Sequence, residues 1–266
     1  KIIKKRYNHL RMDASNYKFD SNGKLIKFTK YKNLSWGNND YLKPYASDLS
    51  EFYVKSGFKD FYKNHQVFYN HLITLFHKQG GIEKQQYWLE SHFPIKYENY
   101  RVVFSPLSYG IHATNRKNSE IIIFVSAPTE ASSLSESMLE ARDSRMLFTE
   151  IDHNYVNPIS DQFKREIKAA LSNRNKWTNG KHTYAYKDEY AVFNEYMTWS
   201  VFLLYAKDSF NSDDYEAIKQ NIELFMEEYR GFQAYKWFSE KLINLYANRN
   251  GKTFISDLYP EILQYC

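Results

Sequence analysis

Residues 190–206, YAVFNEYMTWSVFLLYA, are so apolar that a folded chain has to bury most of them. The run does not reach the roughly eighteen apolar residues of a membrane helix, so a protein interior is the expected environment. Glu195 lies inside this run. A buried carboxylate is costly unless it is paired or binds a metal. The sequence therefore predicts an interior helix with a charged partner or a metal ion at Glu195.

A second segment, residues 147–158, carries most of the metal chemistry that the sequence suggests. LFTEIDHNYVNP matches the zinc-peptidase helix motif His-Glu-x-x-His, except that Thr149 replaces the first histidine. In the intact motif two histidines four residues apart bind Zn²⁺, and the glutamate deprotonates the bound water. Glu150 and His153 keep two of these three groups. A threonine hydroxyl replaces imidazole poorly at zinc, so metal binding and catalysis are expected to be weakened.

The flanking residues predict that this motif lies on a helix. Ser133 and Glu136 have the spacing of a capping box, which satisfies free amides of the first turn. Pro158 biases Asn157 away from helical geometry, so the helix is expected to end there. Asn157 would then cap a second helix. A regular helix of about six turns places Thr149, Glu150 and His153 on one face.

Two other interpretations of this helix are less favoured. Asp152 could join a ligand set, but it points about 100° away from His153 around a regular helix, and an exposed, solvated carboxylate is the expected state. Glu150 and His153 also match the Glu-x-x-His element of di-iron bundles. Such sites need two of these elements, and none of the other seven histidines has a glutamate three residues before it.

From about Tyr100 to the C-terminus the chain resembles the secreted metallopeptidases grouped as the domain of unknown function 4932 family. The resemblance is carried by the motif helix with its Val-Asn-Pro end, the Asn194-Glu195 pair, and residues 102–107 and 229–232. It implies that Glu150 is the general base, His153 a zinc ligand and Glu195 a further zinc ligand. It also implies a peptide or protein substrate and an extracytoplasmic location. Thr149 departs from the family pattern at the first ligand position.

Zinc peptidases of the thermolysin type commonly polarise the scissile carbonyl with a tyrosine or histidine beside the metal. His182, Tyr184 and Tyr186 are candidates because they lie shortly before the Glu195 helix in the chain. A packing or surface role is the default expectation for each of them.

The remaining pattern predicts an α+β, mainly helical protein, with a small β-sheet beside the motif helix and a helical C-terminal part. Strands are expected near residues 24–31, 100–107 and 120–127, with a polar loop between the last two. A helix over 61–78 is expected to end at a left-handed cap at Gly80-Gly81. The domain boundaries are drawn as 1–98, mostly helical, and 99–266, the peptidase-like core; one continuous domain 1–266 is the alternative.

Charge and composition narrow the class of partner and the location. The formal charge of +5 comes from interspersed lysines and acids, and the basic residues form no stripe with groove-reading elements, so nucleic-acid binding is not expected. No transmembrane segment is expected. The chain opens without methionine, which suggests that a leader was removed, and the single Cys266 has no intramolecular disulfide partner.

Two functional hypotheses follow. In the first, the protein is a zinc peptidase in which His153, Glu195 and a compensating ligand, through Thr149 or water, bind the metal while Glu150 acts as base. In the second, it is a non-catalytic relative that binds a peptide or glycan in the old cleft. The loss at Thr149 predicts weak or absent peptidase activity. Glu195 is expected to lie within pairing or shared-ligand reach of His153 or Glu150.

Overall fold

The computed structural model describes residues 2–105, 112–128, 135–180 and 182–266, with side chains from Arg6 onward. The protein is α+β and mainly helical, as predicted. It divides into two compact units, Lys1–Lys78 with Tyr97–Thr129 and Gln79–Lys96 with Glu130–Cys266. The strands that the sequence grouped with the peptidase-like core thus belong to the first unit, and the motif helix belongs to the second. No helix among the described segments is long and apolar enough to span a membrane.

The first unit combines helices with two small sheets. Its helices are α1 (Ile2–Ala14), α2 (Ala46–Lys55), α3 (Phe58–Asn64) and α4 (Gln66–Gly80), the last of which ends at the unit boundary. Its strands are β1 (Tyr17–Phe19), β2 (Leu25–Lys27), β3 (Asn99–Ser105), β4 (Ala113–Lys117) and β5 (Glu120–Ser126). Strands β1 and β2 pair antiparallel, and the second sheet has the order β3-β5-β4.

Strand β5 is the centre of the first unit's core. Ile121 to Val125 are all buried, as expected for a strand covered on both faces. It pairs parallel with β3 and antiparallel with β4. The polar loop expected between the two predicted strands in fact contains β4. Its polar residues suit an edge strand, and pairing with β5 outweighs their weak strand propensity.

The second unit is a helical bundle. Its helices are α5 (Ile82–His92), α6 (Glu136–Ile151), α7 (His153–Ser160), α8 (Lys164–Ala170), α9 (Arg174–Trp177), α10 (Glu189–Ser209), α11 (Ser212–Leu224), α12 (Tyr235–Asn248) and α13 (Tyr259–Tyr265). A π-helical turn, Phe225–Tyr229, continues α11. Gly81, which precedes α5, has φ 57, so the predicted left-handed position at Gly80-Gly81 is confirmed.

Helix α10 is the predicted interior helix. The Asp188 side chain caps it by accepting a hydrogen bond from the Ala191 amide. Every residue from Val192 to Ala206 is buried except Trp199. Helices α6, α7, α8, α11 and α12 all pack against it. The apolar run is therefore covered by other helices on nearly every side.

The motif segment forms two helices rather than one. Ser135 caps α6 through a hydrogen bond to the Met138 amide, whereas the predicted cap, Ser133, lies outside the described residues. The predicted end at Asn157 is wrong, because α6 ends at Ile151 and Pro158 lies inside α7. Burial of α7 side chains such as Val156 favours continued helix over the local preference before proline.

The break between α6 and α7 is stabilised by a side chain. Asn154 donates its amide hydrogens to the carbonyl oxygens of Glu150, at 3.2 Å, and Ile151, at 3.0 Å. These carbonyls lie at the helix end, where intrahelical partners are lacking. Asp152 itself keeps helical angles, φ −68 and ψ −21. The chain therefore passes from one helix to the next through a single residue.

Candidate functional site

His153 and Glu195 meet where α7 packs against α10. The His153 Nε2 lies 3.5 Å from the Glu195 Oε1. The side chain of Glu195 is 10% exposed and that of His153 is 22% exposed, so the pair lies near the surface but largely out of water. The predicted proximity of Glu195 to the motif helix is confirmed.

Arg230 occupies the other side of the Glu195 carboxylate. Its Nη2 lies 2.8 Å from the Glu195 Oε2, and the same nitrogen donates to the Tyr186 hydroxyl. Glu195 is thus placed between an arginine and a histidine, which satisfies the buried carboxylate without a metal. The sequence signalled that Glu195 needs a counter-charge. It could not single out Arg230 among 36 lysines and arginines.

The backbone around Arg230 fixes the position of its side chain. The guanidinium lies 5.0 Å from the ring centre of Trp199 and 5.0 Å from that of Phe232. Gly231, which follows, has φ 81, and a Cβ there would lie 2.2 Å from the Asn179 Oδ1. Only glycine fits this close approach in a left-handed conformation. The ring contacts and the glycine turn together direct Arg230 to Glu195.

The charges of the pair reinforce each other. Burial alone would raise the pKa of Glu195, but Arg230 and His153 lower it to about 2. Burial would lower the pKa of His153, but its hydrogen bond to Glu195 and the charges of Glu195, Asp152 and Glu150 raise it to about 9. At neutral pH, therefore, Glu195 is ionised and His153 carries a proton. A metal ion at His153 would have to displace this proton.

Glu150, the predicted base, belongs to the same charged cluster. Its charge raises the pKa of both His153 and Tyr186. Its side chain is half-buried at the end of α6. The cluster therefore brings together Glu150, His153, Tyr186, Glu195 and Arg230.

Thr149 does not stand in for a metal ligand in this arrangement. Its hydroxyl donates a hydrogen bond to the Arg145 carbonyl oxygen, 3.1 Å away in the preceding turn. This back-bonding is a common way for threonine to satisfy its hydroxyl inside a helix. The side chain is buried and engaged within α6.

The prediction that Asp152 is exposed and solvated is wrong. Its side chain is completely buried, and neither carboxylate oxygen has a hydrogen-bond partner within the described part of the chain. Burial raises the pKa of Asp152 well above its usual range. The expectation assumed that one face of a surface helix would meet water. Both α6 and α10 contact α7, so the face opposite His153 is covered as well.

The three residues predicted as candidates for polarising a substrate carbonyl have different surroundings. Tyr186 contacts the site through Arg230. The His182 ring instead stacks on Tyr229, with ring centres 5.4 Å apart and planes 8° from parallel, and Tyr184 is 79% exposed. Tyr186 therefore lies at the site, whereas the His182 ring contacts a tyrosine ring at the surface.

The described residues fit a zinc ion poorly. They contain no group of three or more histidine, cysteine, aspartate or glutamate side chains arranged to hold a metal. The 3.5 Å between His153 and Glu195 would suit two ligands of one ion. However, Arg230 already places a positive charge on the Glu195 carboxylate, and a second cation there would be repelled.

No family profile, no curated protein and no solved structure matches this chain. The likeness to the domain of unknown function 4932 family therefore stays a prediction from its motif residues.

Proposed function

We propose that this protein is a zinc-peptidase-like protein that binds a peptide in the former catalytic cleft without hydrolysing it. One observation supports the loss of chemistry: the Glu195 carboxylate is paired with Arg230 at 2.8 Å and with His153 at 3.5 Å. Arg230 provides the positive charge that a metal would supply, so the cluster is stable as a structural ion-pair network. Resemblance to peptidases makes a peptide the ligand class and favours an extracytoplasmic location.

The surface next to the cluster suits such a ligand. Tyr184 and Tyr229 are largely exposed, and each lies within two residues of a cluster member, Tyr186 and Arg230. The His182 ring extends the Tyr229 surface by stacking on it. Exposed aromatic rings beside charged groups are typical of binding sites. Such rings would also suit a glycan, so a binding screen should include oligosaccharides beside peptides.

Calorimetric titration with Zn²⁺ and a peptide-cleavage assay test the loss of catalysis. The wild-type protein is expected to bind no zinc tightly and to show no chelator-sensitive cleavage. Thr149→His adds an imidazole one turn before His153 and should bind more zinc than Thr149→Ala, the control for the lost hydroxyl. Equal zinc binding by these two folded variants would argue against a former zinc site.

A second candidate function is zinc-dependent peptide hydrolysis. The 3.5 Å spacing of His153 and Glu195 favours it, because two ligands of one ion lie about this far apart. Robust cleavage that chelators stop and Glu150→Gln abolishes would establish this function and overturn the first. Binding of oligosaccharides in preference to every peptide would replace the proposed ligand class.

A further inference from the structure

A pocket separate from the Glu195 cluster lies between α6, α10, α11 and the π-helical turn. Its volume is about 300 Å³, and most of its lining is apolar, including Met138, Phe202, Ile222 and Phe225. This volume is at the small end of the range for small-molecule sites. It has room for about ten water-sized groups, since a water molecule takes up roughly 30 Å³ in the liquid.

Two arginines line this pocket, and only one of them is neutralised. The Arg142 guanidinium makes a double contact with Asp143, with Nε 2.7 Å from Oδ1 and Nη2 3.1 Å from Oδ2. No carboxylate or hydrogen-bond acceptor contacts the Arg145 guanidinium within the described residues. Its partners there are aromatic rings, with Trp199 at 5.1 Å and Phe225 at 5.7 Å from the guanidinium carbon. The nearby Asp143 charge acts on Arg145, but its carboxylate is already paired with Arg142. Within the described part of the chain, the Arg145 guanidinium therefore has no carboxylate of its own in direct contact.

The surroundings of Arg145 disfavour its charge. Burial lowers the pKa of Arg145 and the nearby Arg230 lowers it further, while the charge of Asp143 offsets part of this effect. Both guanidinium groups lie close to the Trp199 ring, Arg145 at 5.1 Å and Arg230 at 5.0 Å from its centre. A partly buried cation of this kind gains most from an anion that brings its own negative charge. Carboxylates suit arginine particularly well, since the planar guanidinium can donate two parallel hydrogen bonds.

We propose that this pocket binds a small amphiphilic carboxylate, with its head group on Arg145 and its apolar body against Met138, Phe202 and Ile222. Contact with the rings of Trp199 and Phe225 already restricts the guanidinium, so little side-chain freedom is lost on binding. The volume matches a chain of about eight carbons with its carboxylate, by the same count of about ten water-sized groups. This site goes beyond the peptide-binding cleft, because none of the residues that line the pocket belongs to the Glu195 cluster.

Octanoate is the probe, and the wild-type protein is titrated with it by calorimetry. Octan-1-ol has the same tail without the charge, and butyrate has the charge without most of the tail. The affinity for octan-1-ol is expected to be at least about tenfold lower than that for octanoate, because a charge-assisted contact is lost. The affinity for butyrate should be roughly a hundredfold lower than that for octanoate, because four fewer methylene groups are buried in the pocket. Equal binding of octanoate and octan-1-ol, or no binding of octanoate, would overturn the proposal.

Variants locate the site. Arg145→Gln keeps a side chain of similar length without the charge, and octanoate affinity should fall about tenfold or more. Arg165→Gln removes the same charge from an exposed position on α8 and should bind octanoate like the wild type. Circular dichroism confirms that both variants are folded. If octanoate affinity falls as much in Arg165→Gln as in Arg145→Gln, the attraction is non-specific and the proposed pocket is rejected. If Arg145→Gln does not fold, the comparison of octanoate, octan-1-ol and butyrate on the wild-type protein tests the proposal.

Discussion

Glu195 and Arg230 form a pair whose two members depend on each other. Replacing Arg230 by glutamine leaves a buried carboxylate whose remaining positively charged partner among the described residues is His153. We expect Arg230→Gln to lower the free energy of unfolding by about 3 kcal/mol, near the lower end for breaking a buried ion pair, because both side chains keep some exposure. Denaturant unfolding followed by circular dichroism measures this loss.

A double-mutant cycle separates the pair from its surroundings. Adding Glu195→Gln to Arg230→Gln removes the uncompensated charge, so the double variant should recover part of the loss. The expected coupling is about 1–3 kcal/mol, as for residues in direct contact. Additive losses within experimental error would mean that Arg230 does not stabilise Glu195.

The two pKa shifts at this pair predict how stability depends on pH. The pKa of His153 is raised from 6.5 to about 9, so its contribution is complete below about pH 6.5 and is lost as pH rises through 9. The pKa of Glu195 is lowered from 4.5 to about 2, so its contribution is complete above about pH 4.5 and is lost as pH falls through 2. Stability from the pair should therefore be greatest between about pH 4.5 and 6.5. Unfolding midpoints of the wild type, measured from pH 3 to 10, should fall as pH rises through about 9, and this fall should be absent in His153→Gln. The same fall in His153→Gln would mean that other groups cause it.

At the scale of single elements, Gly231 determines where Arg230 points. Gly231→Ala places a Cβ against Asn179 and forces alanine into a left-handed conformation. We expect a loss of about 2 kcal/mol or more, combining backbone strain with the steric clash. Gly251→Ala is the control, because a Cβ there meets nothing within 4 Å and its φ is not positive. Thermal unfolding of the two variants should differ clearly, and equal midpoints would show that the turn at Gly231 tolerates a side chain.

The sequence was sufficient to predict elements whose signals are local. The apolar run predicted α10, and glycines predicted the left-handed position at Gly81. The strand β4 was missed because its residues are polar and pair only through their neighbour β5. The break at Asp152 was missed because it depends on how Asn154 satisfies free carbonyls.

The candidate site also contains some features that the sequence could predict and others that it could not. That Glu195 must have a partner followed from its apolar surroundings, and His153 was named from its motif. Arg230 and the buried state of Asp152 depend on which helices pack around α7, and this is a property of the tertiary structure. Periodicity along one helix cannot reveal what covers its far side.

At the scale of the whole molecule, burial differs sharply between helices and predicts their local stability. Most residues of α10 are buried, whereas α2 and α3 have no buried residue. Amides of α10 should therefore exchange hydrogen only through unfolding of the second unit, while those of α2 and α3 should exchange by local opening. Hydrogen-exchange mass spectrometry measures the difference. Protection in α2 equal to that in α10 would contradict the expected hierarchy.

The order of the segments along the chain also has a consequence for synthesis on the ribosome. Helix α5 belongs to the second unit, but it is made before strands β3 to β5 complete the first. Its Trp88 packs near Phe148, Tyr205 and Tyr246, which emerge much later. At ordinary translation rates, roughly 150 residues between α5 and Tyr246 correspond to about eight to thirty seconds. During that time Trp88 and Leu89, which are buried in the folded protein, lack the later aromatic side chains that pack against Trp88.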